Sequence, residues 1–144
     1  MVVVGGSLLL GGLTSFGQTY LPDWLRSLSN SMGGWTVLAF LLVWLSGARP
    51  RVSAVLGAVS FVTLNAAYGL VSSWRGFYYA DPLHSIWTFV GLVAGPVLGL
   101  AASHARDGLG LWRLLGIAVP AAVLLGEGSW ALLNVADTTS PVYW

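Results

Sequence analysis

The sequence predicts an all-α fold, a polytopic transmembrane bundle of about five helices, and three observations carry that expectation. Hydrophobic residues make up 56% of the 144-residue chain, charged residues only 8%, and the mean hydropathy is +0.79. The apolar residues fall in five long stretches parted by short breaks. The Arg residues concentrate on alternate breaks. A soluble domain carries about a quarter charged residues, so this chain could not cover a water-facing surface. Lipid is the solvent that suits it, and the bilayer is its first expected partner. The breaks are too short for a separate soluble module, so residues 1–144 are expected to form a single transmembrane domain.

A hydrocarbon core of about 30 Å takes roughly 20 mostly apolar residues per helix. The first stretch, from about Val2 to Gly17, is short and Gly-rich. It lacks a charged n-region and an A-x-A-like site, so it reads as a retained span and not a signal peptide. The second runs from about Gly34 to Ser46, or from near Ser31 if Trp35 and Trp44 mark its two interfaces. The third runs from Val52 to Ser73, the fourth from Leu83 to Ser103 and the fifth from Trp112 to Val135. Pro96 and Pro120 are expected to bend their helices.

Small residues recur inside the spans. Gly5, Gly6, Ser7, Gly11, Gly12 and Ser15 lie in the first, and Ala54, Gly57 and Ala58 in the third. Gly91, Gly95 and Gly99 follow one another at a spacing of four in the fourth. Such ridges let backbones approach closely where lipid removes the hydrophobic drive for association. Packing within the bundle is the expected use, and a docking groove for a partner subunit the alternative.

Orientation follows the positive charge. Arg49, Arg51, Arg106 and Arg113 lie at two breaks on one side, with Arg26 and Arg75 on the other. The first set is expected in the cytoplasm of a cell whose inner (plasma) membrane holds the chain. The N-terminus is then cytoplasmic and the C-terminus outside.

Several functions are disfavoured by composition. A net charge of +1 provides no basic stripe for a nucleic acid. The absence of Cys removes disulfides, thiolate metal sites and a thiol nucleophile. His84 and His104 are too few and too far apart for a local metal motif, so no metal or cofactor is expected. No Ser-His-Asp set, carboxylate pair or phosphate-cradling loop accompanies them, so no catalytic residue is assigned and enzymatic activity is not the favoured expectation.

The polar residues inside the spans carry the functional expectation. Glu127 is the one charged residue well inside a span, about fifteen residues into the fifth helix. A carboxylate at such depth is costly unless partnered, which makes it a functional candidate. Trp130 and Asn134 follow at helical spacing on its face. The third helix presents Asn65, Tyr68 and Ser72 at similar depth, and the fourth opens with His84, Trp87 and Thr88. The loop from Trp74 to Pro82 is unusually aromatic and includes Tyr78, Tyr79 and the pair Arg75 and Asp81, which are expected to bridge each other. The expected site is therefore an outward-facing pocket around Glu127. Its binding residues are Trp130, Asn134, Asn65, Tyr68, His84 and Trp87. Aromatic walls beside one carboxylate suit a cationic or heterocyclic small molecule. Trp and Tyr also gather at membrane interfaces for reasons unrelated to ligands, and Glu127 could serve a structural bond to Asn65, His84 or a backbone group.

Several short pieces carry a resemblance. They are Gly17-Gln18-Thr19-Tyr20-Leu21-Pro22, Leu28-Ser29-Asn30-Ser31 with Trp35, Tyr78-Tyr79, Trp87, the Gly91 to Gly99 run with Gly95-Pro96, and Gly126-Glu127. Together they resemble an uncharacterised family of bacterial integral membrane proteins, a domain of unknown function. The resemblance implies a membrane location and a helical bundle, and no activity. It also implies one helix more than the five counted here, so this chain is expected to be a six-helix family member lacking one. By architecture alone, the chain is distantly similar to the substrate-binding subunits of energy-coupling-factor transporters, which dock a partner through a small-residue ridge. Gly5 to Ser15 would be that ridge here.

The leading expectation is a solute-binding, transport-related membrane subunit. The alternatives are a structural or accessory subunit, bound to a partner chain or to further copies of itself, and a small membrane enzyme acting on a lipid through Glu127 and His84.

Overall fold

The computed structural model describes residues 1–78 and 84–144. Tyr79, Ala80, Asp81, Pro82 and the expected span start at Leu83 lie outside the described residues, and with Asp81 the expected Arg75–Asp81 bridge. Helix α1 covers Val2–Tyr20 and α2 the single turn Asp23–Arg26, followed by a 3-10 turn over Ser27–Ser29. Then come α3 (Met32–Ser46), α4 (Pro50–Trp74), α5 (Ile86–Asp107) and α6 (Leu111–Asn134). No strand occurs among the described residues.

Each boundary has a local cause. Helix α1 stops where Leu21 turns extended ahead of Pro22, whose ring excludes the helical region at the residue before it. Ser31 caps α3, its hydroxyl accepting from the Gly34 N–H at 2.9 Å, and Gly47 ends it in a left-handed conformation (φ +62°). Pro50 opens α4 at a position where no N–H is needed. Ser85 caps α5, accepting from the Trp87 N–H.

Four helices, α1, α4, α5 and α6, are long and apolar enough to cross a membrane. The segment Asp23–Ser29 and α3, which meet at a 62° bend, pass the same test only as a pair, which is a fifth span if the two count as one. With 15 residues α3 is short, about 22 Å at 1.5 Å per residue. Alone it does not span a core of about 30 Å.

Successive long helices run in opposite directions, and α4 is the hub, touching α1, α3 and α5. Its packing on α5 uses the glycine row expected from the sequence. A Cβ at Gly95 would stand 2.6 Å from the Ala58 Cα, one at Gly91 2.7 Å from the Phe61 Cβ, and Gly99 faces Ser53 and Ala54. On α1 the buried residues are Val3, Ser7, Gly11 and Ser15, again four apart. Ser7 meets Ser60 and Ser15 meets Ser72, each pair of hydroxyls 2.9 Å apart, while Gly11 lies against the Leu64 carbonyl. The α1 ridge is thus filled by α4 within the chain, although a Cβ at Gly5 would meet nothing.

Helix α6 is peripheral. It touches α5 and α3, and only Gly116 and Ala131 on it are fully buried. Two ends result. One carries residues 21–31, 75–78 and the tail after Asn134, with Arg26 and Arg75. The other carries the turns at 47–49 and 108–110, with Arg49, Arg51, Arg106 and Arg113. We call these the linker end and the arginine end.

Candidate binding cavity

A cavity of about 560 Å³ lies toward the linker end, within the range of small-molecule sites. Asn30, Ser31, Met32, Trp35 and Thr36 form one wall, from the start of α3. Helix α4 contributes Phe61, Asn65 and Tyr68, and α5 contributes Trp87, Val90 and Ala94. From α6 comes Val123.

Its aromatic and polar groups are held in place by one another. The Trp35 ring meets Tyr68 edge-on at 5.5 Å, and the Trp35 indole N–H donates to the Ser29 carbonyl at 3.1 Å. Gln18, from the last turn of α1, donates to the Tyr68 hydroxyl at 2.8 Å and to the Asn30 side-chain carbonyl. On the other side the Asn65 amide donates to the Thr88 hydroxyl at 2.6 Å, both residues buried. That bond joins α4 to α5 at the depth where the sequence placed two polar stripes.

Glu127 does not line this cavity; it stands behind the wall. Its Oε1 accepts from the Met32 N–H at 2.6 Å, and its Oε2 accepts from the Gly33 N–H at 2.6 Å and the Ser31 hydroxyl at 2.7 Å. Ser31 in turn accepts from Gly34, so the first three N–H groups of α3 all have acceptors. The first N–H groups of a helix lack intrahelical partners, and inside a bilayer water does not supply them. The carboxylate also meets the positive end of the helix dipole. Glu127 is therefore a cap delivered from another helix, and Gly33 makes room for it. A Cβ there would stand 2.7 Å from both Oε2 and Leu124 Cδ2.

A family model matches residues 1–144, the whole chain. The chain belongs to the DUF6518 family. Its description is that of a family of unknown function, in keeping with the uncharacterised family expected from the sequence. No curated protein and no solved structure matches the chain. The likeness to energy-coupling-factor subunits consequently has no matched structure behind it.

In this DUF6518 member the seven residues singled out from the sequence separate into groups. Asn65, Tyr68 and Trp87 line the cavity. Glu127 supports its wall through Ser31 and Met32. Trp130 is 58% exposed, and Asn134, also exposed, donates to the Trp130 carbonyl at 2.7 Å. The inward face of α6 runs through Glu127 and the buried Ala131, four residues on. Trp130, three residues on, falls on the flank. His84 borders a separate surface hollow with Ser85, Ile86 and Phe89. Gln18, Trp35 and Phe61 were not among the expected site residues. Trp35 had been read as an interface marker. The usable signal was its place four residues after the Ser31 cap, which turns it to the same side.

Two further contacts fix the linker end. Arg75 donates to the Ser15 carbonyl and to the Thr19 hydroxyl (2.8 Å), and lies over the Phe16 ring at 4.3 Å. It clasps α1 to α4 there. The tail folds back toward Glu127: the Trp144 indole donates to Thr139 at 2.9 Å, and its carbonyl lies 3.3 Å from where a Gly128 Cβ would be. Burial raises the Tyr143 phenol above its ordinary 10.0; a hydrogen bond with Ser31 opposes this, and the nearby Glu127 charge adds to it.

Proposed function

We propose that this multi-pass membrane protein is a solute-binding subunit, and that the cavity between α3, α4, α5 and α6 is its binding site. The carrying observation is the cavity itself: Trp35, Phe61, Tyr68 and Trp87 surround it and Asn30 and Asn65 supply hydrogen-bonding groups, all toward one end of the bundle. A few placed polar groups in an aromatic hollow are what small-molecule sites share. Asn65, Tyr68 and Trp87 contact the ligand, and Glu127 acts through the wall it holds. The cationic group expected on Glu127 is not carried forward, because three donors already occupy that carboxylate. Arginine distribution supports a plasma-membrane orientation with the arginine end in the cytoplasm and the cavity toward the outside.

The test is native mass spectrometry of protein released gently from its own membrane. Wild type is expected to carry one small molecule, and Phe61→Trp, which fills the hollow, to arrive without it. Wild type that arrives empty and with a stoichiometric second chain refutes the proposal and favours an accessory subunit.

A further inference from the structure

Three features of the cavity bear on what occupies it. The first is charge. No Asp, Glu, Lys, Arg or His occurs among its described lining residues. An ionic ligand would be desolvated there without a counter-charge, which is unfavourable in a site of low dielectric. The second is a gradient along the membrane normal. Asn30, Asn65 and Tyr68 lie toward the linker end, whereas Phe61, Ala94 and Val123 lie deeper, with the Thr36 hydroxyl the polar exception at that depth. Polar above and apolar below is the gradient of one bilayer leaflet.

The third is access. Helix α6 approaches α5 closely at Gly116, where a Cβ would stand 2.5 Å from the Ala105 nitrogen. Further along it leans instead on α3, where Glu127 and Leu124 meet Gly33. Crossing from one neighbour to the other, it leaves the first half of α5 uncovered among the described residues. Trp87 and Val90 line the cavity and are nevertheless 51% and 37% exposed. On a bundle flank, that exposure is to lipid.

We infer that the ligand is an uncharged amphiphile taken laterally from the membrane between α5 and α6, an inference that rests on the binding role proposed above. Its hydrogen-bonding head sits against Asn30, Asn65 and Tyr68, and its apolar body lies beside Phe61, Ala94 and Val123.

The experiment uses three single-chain probes of equal length: a monoacylglycerol, the corresponding fatty acid and the corresponding alkylamine. Each is titrated into purified full-length protein in detergent, and adducts are counted by native mass spectrometry. The expected result is one saturable monoacylglycerol adduct, with a Kd at least ten-fold below those of both charged probes. Ala94→Trp is expected to weaken it at least ten-fold. Val90→Trp, on the half-exposed rim, should do the same and keeps the test valid if the deeper substitution does not fold. Equal or tighter binding of either charged probe overturns the inference, as does full monoacylglycerol binding by both variants. If no probe binds but wild type from its own membrane carries a water-soluble molecule, the inference falls and the binding role stands. If no probe binds and wild type arrives empty, both fall.

Discussion

Replacing Glu127 by Gln tests the cap with almost no change in shape. The carboxylate accepts three hydrogen bonds, through Oε1 from Met32 and through Oε2 from Gly33 and Ser31. A carboxamide has one acceptor oxygen. Turned to satisfy Gly33 and Ser31, it points an NH2 at the Met32 N–H; turned the other way, it deprives Gly33 and confronts the Ser31 hydroxyl with a second donor. At least one backbone donor is left without an acceptor, which costs about 1–3 kcal/mol. Loss of the charge at the helix N-terminus adds about 0.3–1 kcal/mol, and more where the end is buried. The expected cost to the first turn of α3 is thus about 1.3–4 kcal/mol. At 1.4 kcal/mol per factor of ten, amide exchange at Met32, Gly33 and Gly34 should accelerate by roughly 10- to 700-fold. Hydrogen exchange with site resolution, on protein in nanodiscs, reads this directly. Amides near the arginine end, such as those of residues 98–105, should be unaffected. Protection at residues 32–34 that stays within two-fold of wild type would refute the capping role.

Other expected outcomes follow from the same contacts. Gly33→Ala places a methyl 2.7 Å from Glu127 Oε2 and Leu124 Cδ2; overpacking of this kind costs about 1–3 kcal/mol, measurable as a fall in unfolding midpoint in mixed micelles. Gly95→Ala should cost at least as much by the same assay, because the Ala58 atoms it meets at 2.6 and 2.7 Å are backbone and cannot swing aside. A double-mutant cycle of Asn65→Ala and Thr88→Val should return a coupling of about 0.6–1.7 kcal/mol, the range for such bonds between membrane helices; a coupling near zero would remove that bond as a clamp between α4 and α5. For Tyr143, a raised phenol means that the docked tail is unaffected below pH 10.0 and loosens as pH rises through the higher folded value. The tyrosinate absorbance lost in Tyr143→Phe should therefore have its midpoint above 10.0, and a component titrating at or below it would count against the tail contact.

The helical bundle was legible because burial in lipid demands long apolar runs, and these survive in the sequence whatever packs against them. The internal ridges were legible for a related reason: Gly91, Gly95 and Gly99 repeat with the period of one helix face, and only a close neighbour makes such a repeat useful. Glu127 stands out in the sequence, and a bond to a backbone group is among the uses read there, but which backbone was not legible. Its partners lie 94 to 96 positions away and two of them are backbone N–H groups, which every residue but proline has. On α6 the face expected from the sequence does not hold for Trp130. Spacings of three and four both count as one face of a helix, but they depart from it in opposite directions, and only the buried Ala131 shows which side is inward. Gln18 escaped notice because its partners, Asn30 and Tyr68, sit on different elements.

The start of α3 connects the cap to the cavity. A helix of 15 residues cannot by itself reach both faces of a core of about 30 Å, and the end that carries both the cap and the cavity is its N-terminus. A helix N-terminus needs acceptors for its first N–H groups. Glu127 meets that requirement, and the cavity lies over Ser31, Met32 and Trp35. Cap and cavity share the same turn of backbone. Ligand affinity should consequently depend on Glu127 although its carboxylate faces away from the ligand. Glu127→Gln would then weaken binding by disordering the wall, while Trp130→Ala, on the exposed flank of α6, would leave it unchanged.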